Sequence, residues 1–135
     1  MKRFLDTSVL VESCLRESRS FASADQLVND PEACTSAHAL AECYATLSGD
    51  PRLKIRPIEA SRIVQDLAET LRVQVTDLED YLRVIALAPR KGVRGGMIYD
   101  ALHAQTARRA GCGEVRTLNV SHFKHVAPDL TILGL

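Results

Sequence analysis

The 135-residue chain has no tryptophan, and aromatic residues make up only 4% of it. A platform that holds single-stranded nucleic acid by stacking bases on aromatic rings is therefore not expected. An excess of charge of one sign is lacking too. Seventeen Lys and Arg balance 17 Asp and Glu, so the chain as a whole is not a polycation that grips nucleic acid non-specifically. A local basic patch stays open, because balance along a sequence says nothing about balance over a face. No apolar run approaches the ~18 residues needed to span a bilayer. The start, "MKRFLDTSVLVESCLRESRS", is basic and then apolar. Asp6 and Glu12 interrupt the apolar run and no small-residue cleavage site follows, unlike a secretory signal. The four cysteines (Cys14, Cys34, Cys43 and Cys112) form no CxxC pair. They read as reduced, mostly buried cysteines of a cytoplasmic protein with no membrane association.

Hydrophobic residues amount to 46%, enough to fill one core, and the length suits a single domain over residues 1–135. Short β-branched or apolar runs alternate with longer helical patterns. "KRFLD" reads as a strand, followed by a helix from about Ser8 that Thr7 or Ser8 can cap. A helix around Ala22–Val28 must end at "NDP", where Pro31 forbids continuation. "EACTS" is a strand, and "AHALAECYATLSG" a helix closed by Gly49, with Leu40, Cys43, Tyr44 and Leu47 on one face. After the loop "DPRLKIRP" come the helix "IEASRIVQDLAETL", the strand "RVQVT", and the helix "DLEDYLRVIALAPRKG" capped by Asp77. "EVRTL" and "LTIL" supply the last two strands. Strands separated by helices predict an α/β fold, a three-layer α/β/α sandwich around a mainly parallel sheet of about five strands. Open sheets of this kind put their sites at the strand carboxyl ends.

That edge is where three acids meet in the expected topology. Asp6 ends the first strand, Glu42 lies in the helix after the second, and Asp100 opens the helix before the fourth; Asn119 follows "EVRTL". Each has an ordinary reading. Asp6 is a suitable helix cap. Glu42 lies opposite the Leu40/Leu47 stripe, as a solvated glutamate would. Asp100 sits where a helix dipole favours an anion, by ~0.3–1 kcal/mol. Yet the helix from Ala37 to Ser48 has no other formally charged residue, and "MIY" and "ALHA" around Asp100 are built for burial. Carboxylates crowded at one edge repel, so without a partner some must stay protonated. A hard divalent cation, Mg²⁺ or Mn²⁺, removes that penalty and takes oxygen ligands and phosphate. Hydrolysis of a phosphodiester is the reaction this chemistry implies.

Four segments, "FLDTSVLVE", "ALAECYATL", "GGMIYDALHAQTARRAG" and "VRTLNVSHF", together resemble the PIN domain, in particular the VapC-type ribonuclease toxins of toxin–antitoxin pairs. They run from Phe4 to Phe123 in the family's order. The resemblance makes Asp6, Glu42 and Asp100 the catalytic metal ligands and Asn119 the fourth catalytic position. His122 stands where many relatives have an acid, and Ser8 matches a small hydroxyl kept at the first turn; both are candidate supporting residues. Two non-anionic positions imply weaker binding of a second metal. The resemblance further implies Mg²⁺-dependent endonucleolytic cleavage of RNA, often structured transfer or ribosomal RNA, with Mn²⁺ as a substitute. It also implies a homodimer and a small antitoxin partner with a DNA-binding amino-terminal part.

Among the basic clusters, Arg90, Lys91 and Arg94 lead into the Asp100 helix and are candidate RNA phosphate contacts. His103, one turn past Asp100, reads better as a core histidine than as a groove residue. His122 with His125, or Cys34 with His38, lack the second half of a zinc site. Gly95–Gly96 lacks the Lys-Ser/Thr of a phosphate loop. A haloacid-dehalogenase-type phosphatase would need a second aspartate where Ser8 stands. Two alternatives stay open: a DNA nuclease with the same metal chemistry, and a non-catalytic PIN module that only binds a partner.

Overall fold

In the computed structural model, which describes residues 2–135, the first half runs from β1 (Arg3–Leu5) through α1 (Thr7–Glu12) and α2 (Phe21–Val28) to β2 (Ala33–Ser36). From there α3 (Ala37–Gly49) and α4 (Pro57–Thr70) lead to β3 (Arg72–Gln74). The second half consists of α5 (Leu78–Leu87), α6 (Met97–Arg109), β4 (Glu114–Arg116), α7 (Val120–Val126) and β5 (Thr131–Leu133). The strands lie in the order β3-β2-β1-β4-β5, and every pairing is parallel. Phe4 stands opposite Cys34 on one side and Val115 on the other. The chain thus moves outward from β1 to β3, then returns to β4 on the other flank of β1. That reversal opens a crevice beyond the carboxyl ends of β1 and β4.

Strand alternation builds two cores. Successive residues of a strand face opposite ways, so Phe4 and Cys34 join Ala101, Ala104 and Ala107 of α6 and Phe123 and Val126 of α7. Leu5 and Ala33, one residue out of phase, join Val9 and Leu10 of α1, Ala24 and Val28 of α2, Cys43 and Leu47 of α3 and Leu67 of α4. The result is the three-layer α/β/α sandwich expected from the sequence. Among the described residues no helix is long and apolar enough to cross a membrane.

Caps set the helix starts. Ser36 accepts the Ala39 N–H at the start of α3, and Asp77 accepts the Asp80 N–H at 2.9 Å at the start of α5. Pro57 opens α4 with φ already set for a helix. Asp80, buried where α5 crosses α6, is held by Arg109 Nε at 3.0 Å and Gln105 Nε2 at 3.1 Å.

Several sequence expectations need correction. α1 begins at Thr7, so neither Thr7 nor Ser8 caps it; Asp6 does, in extended conformation, its carboxylate accepting the Thr7 N–H. The strand expected over "RVQVT" stops at Gln74, leaving Val75 exposed. The helix after Asp77 breaks at Ala88 into a short 3-10 turn, Pro89–Lys91, ended by Gly92 at φ +66°. A proline and a left-handed glycine both stop an α-helix. Tyr44 stays 39% exposed, although Cys43 and Leu47 beside it are buried. α7 was not anticipated. It spans only seven residues, too short for an apolar period to show.

Phe123, fully buried, pins α7 to the core. Phe123→Ala should destabilise the protein by about 3–5 kcal/mol, the range for removing a buried aromatic ring. Urea unfolding measures this; a loss within error of zero would mean that α7 is not packed as described.

Candidate active site

Asp6 leaves β1 at the crevice, and its amide donates to Arg116 O at 3.1 Å, continuing the pairing of β1 with β4. Its buried carboxylate is well bonded. Oδ1 accepts the Thr7 N–H at 2.7 Å, while Oδ2 accepts the hydroxyls of Ser8 at 2.9 Å and Thr117 at 2.7 Å. Each hydroxyl accepts in turn from the β4–α7 loop: Ser8 Oγ from the Leu118 N–H at 3.0 Å, and Thr117 Oγ1 from the Asn119 N–H at 2.9 Å. Ser8 thus hydrogen-bonds a candidate ligand, Asp6. Thr117, fully buried, has the same role and was missed. A hydroxyl directly after a strand at the site edge was the signal available.

Glu42 projects from α3, half-buried, and its Oε1 lies 2.9 Å from Nε2 of both His38 and His103. Burial alone would raise its pKa. The hydrogen bond from His103, with the charges of His103 and His38, outweighs burial and leaves it below the usual carboxylate range. Glu42 is thus no ordinary solvated glutamate. His103 is a core histidine as expected, 2% exposed, yet its ring also touches the site. The i,i+4 spacing of His38 and Glu42 was legible in the sequence; the approach of His103 was not.

Asp100, in the first turn of α6, is the least compensated of the three acids. Burial raises its pKa first, and the Asp6 charge adds to that. His103 and His122 pull it down, while Glu42 pushes it up, and the net shift is upward. His122 Nδ1 is 3.7 Å from Asp100 Oδ2, too far for a hydrogen bond, and its side chain is mostly exposed. Asn119 stands at the start of α7, where its side chain makes no capping bond.

Asp6, Glu42, Asp100, Ser8 and Asn119 line one open cleft of about 340 Å³, and Glu12 adds a further carboxylate to its wall. Arg90, Lys91 and Arg94 are exposed but are not among the residues lining it. Lys91 instead lines a separate groove with Arg83, Arg108 and Val126. Among the described residues, no three His, Cys, Asp or Glu side chains stand close enough together to hold a metal ion between them. The carboxylates flank open space, which suits a hard cation that keeps several of its waters. One further feature fits such an ion: Asp100 carries an ionisation cost that a cation would remove.

This fold and cleft have known counterparts. A family profile described as PIN domain matches residues 3–127. Ribonuclease VapC27 of Mycobacterium tuberculosis is 33% identical over 105 residues, covering 76% of this chain and 74% of that protein. Among solved structures, DNA-bound VapBC from Salmonella typhimurium aligns over 99% of this chain and 98% of its own, with TM-score 0.74 and 22% identity. VapC20 of Mycobacterium tuberculosis, a sarcin-ricin loop cleaving toxin, aligns over 84% and 87% with TM-score 0.68 and 21% identity. The two structures are similar in fold. The chain belongs to the PIN domain family.

A carboxyl whose pKa is raised on folding destabilises the fold at pH values above that pKa, and the cost disappears as pH falls through it. Asp100→Asn should therefore raise the melting temperature by a few degrees near neutral pH without divalent cations. That gain should shrink as pH falls into the carboxylate range. Thermal melts of both proteins across pH provide the check, and an unchanged or lower neutral-pH melting temperature would contradict it.

Proposed function

We propose that this protein is an Mg²⁺- or Mn²⁺-dependent endoribonuclease and the toxin of a toxin–antitoxin pair. The carrying observation is the convergence of three carboxylates, Asp6, Glu42 and Asp100, on one cleft at the carboxyl edge of a parallel sheet. The identity with Ribonuclease VapC27 supports RNA as substrate. The likeness to a sarcin-ricin loop cleaving toxin supports structured RNA. Likeness to VapBC supports a small antitoxin partner with a DNA-binding amino-terminal part. The reading includes a single PIN domain, a homodimer and a cytoplasmic location.

Asp6, Glu42 and Asp100 would hold the divalent cation, and Asn119 would contribute a neutral oxygen at the rim. When bound, the cation would polarise the scissile phosphoryl group and supply an activated water. Asp6 is fixed by three donors, yet Oδ1 accepts only one of them and keeps a second lone pair unused. Glu42 keeps Oε2 available, because both histidines use Oε1. Asp100, raised by burial and by its acidic neighbours, gives up its proton more readily when positive charge enters the cleft. His122, exposed with Nδ1 3.7 Å from Asp100 Oδ2, is not among the residues lining the cleft and would meet a phosphate oxygen only outside its wall.

Purified protein should cut a pool of end-labelled structured RNAs with Mg²⁺ or Mn²⁺ and leave them intact in EDTA. Asp100→Asn should slow cutting by roughly 100- to 1,000-fold, the scale of losing one group that stabilises transition-state charge. Matched DNAs in the same assay separate the substrates. Cutting of DNA alone, or cutting of RNA in EDTA, would overturn this reading.

A further inference from the structure

Glu42 belongs to the least constrained class of ligand. It has three side-chain torsions, and 37% of its side chain is exposed on α3. Yet one of its oxygens is held from two helices. His38, one turn earlier on α3, sets Nε2 2.9 Å from Oε1, and His103 of α6 sets its own Nε2 2.9 Å from the same atom. Of the two contacts, the one from His103 is a hydrogen bond, while His38 stands at ion-pair distance from the same atom. Among the described residues, no donor bonds Oε2.

Neighbouring hydrogen bonds select the His103 tautomer. Ser36 Oγ accepts the Ala39 N–H at 2.9 Å, so its own proton is free to point at His103 Nδ1, 3.3 Å away. Nδ1 then accepts, and Nε2 carries the proton that Glu42 needs. The ring cannot swing, being buried and in contact with Phe4 at a centroid distance of 5.9 Å. His38 is steadied differently, stacked on Tyr99 with centroids 5.6 Å apart and planes 15° apart. Tyr99 directly precedes Asp100, so the network joins the starts of α3 and α6 around two of the three acids.

We infer that His103, through its hydrogen bond, and His38, through its ion-pair contact, are positioning residues that hold Oε1 of Glu42 and present Oε2 as a fixed ligand to the divalent cation in the cleft. This rests on reading the cleft as a cation site. Free of these two contacts, the Glu42 side chain would sample several rotamers, and binding would have to select one of them. Outer-shell partners of ligands act in this way in metal sites generally.

The test is Mn²⁺ titration calorimetry on the purified full-length chain without RNA, comparing wild type with His103→Gln, His103→Leu and His38→Ala. Glutamine can still offer an N–H to Oε1, whereas leucine fills the space without one. His103→Leu and His38→Ala should each weaken Mn²⁺ binding by roughly 10- to 100-fold, the range for outer-shell losses. His103→Gln should recover most of the wild-type affinity. Two donorless variants that bind as tightly as wild type would overturn the inference and leave the cation reading intact. So would a glutamine variant as weak as the leucine one. A wild-type protein that binds no Mn²⁺ would overturn the cation reading and this inference with it. Should His103→Leu fail to melt cooperatively, His38→Ala, which removes a side chain 35% exposed, decides alone, and wild-type affinity there counts against the inference.

Discussion

The carboxylate of Asp6 ties together the two loops between which the cleft opens. β1 and β4 are neighbours in the sheet but lie more than a hundred residues apart in the chain. Their loops are joined through one anion, to which the Ser8 and Thr117 hydroxyls both donate while accepting from the amides of Leu118 and Asn119. A buried carboxylate is costly unless it is hydrogen-bonded. Here the donors come from both sides of the crevice, so satisfying the charge also closes the structure. Asp6 is helix cap, loop tie and candidate ligand at once, and the first two roles fix the geometry that the third requires.

Around that tie the acids form a graded series. Asp6 is bonded on both oxygens, Glu42 on one, and Asp100 has no donor within hydrogen-bonding distance among the described residues. Between the last two, Glu42 is lowered by its histidines, and Asp100 is raised by burial and by its acidic neighbours. A site graded in this way holds its shape without a cation while keeping unsatisfied negative charge where a cation and a phosphate would enter.

The position of Asp100 depends on α6. Ala101, Ala104 and Ala107 form the buried stripe of that helix, and their small side chains let its backbone lie close to the sheet. Its first turn thereby comes level with the carboxyl ends of β1 and β4. The residues around Asp100 that looked built for burial are therefore a packing surface that delivers an acid to the edge. The histidine contacts follow from the same closeness, since His103, buried among those alanines, meets Glu42 of α3 across the end of β2.

Much of this was legible in the sequence because it depends on short-range rules. Alternating strand and helix patterns implied the parallel sheet, and Asp77 caps α5 as expected. The resemblance to PIN domains rested on residues that the structure gathers in one cleft. What escaped is what depends on length or on distant partners. α7 is too short to show a period, Tyr44 keeps to a surface although its neighbours are buried, and Arg90 and Lys91 precede the Asp100 helix in sequence without lining its cleft. The amino-acid order by itself determined most of the elements and their parallel arrangement, because periodicity, capping and crossover topology act over a few residues or one connection. Only the tertiary structure decided that Thr117 completes the Asp6 tie and that His103 holds Glu42, because those bonds join residues 111 and 61 positions apart, and no local pattern encodes an approach across that much chain.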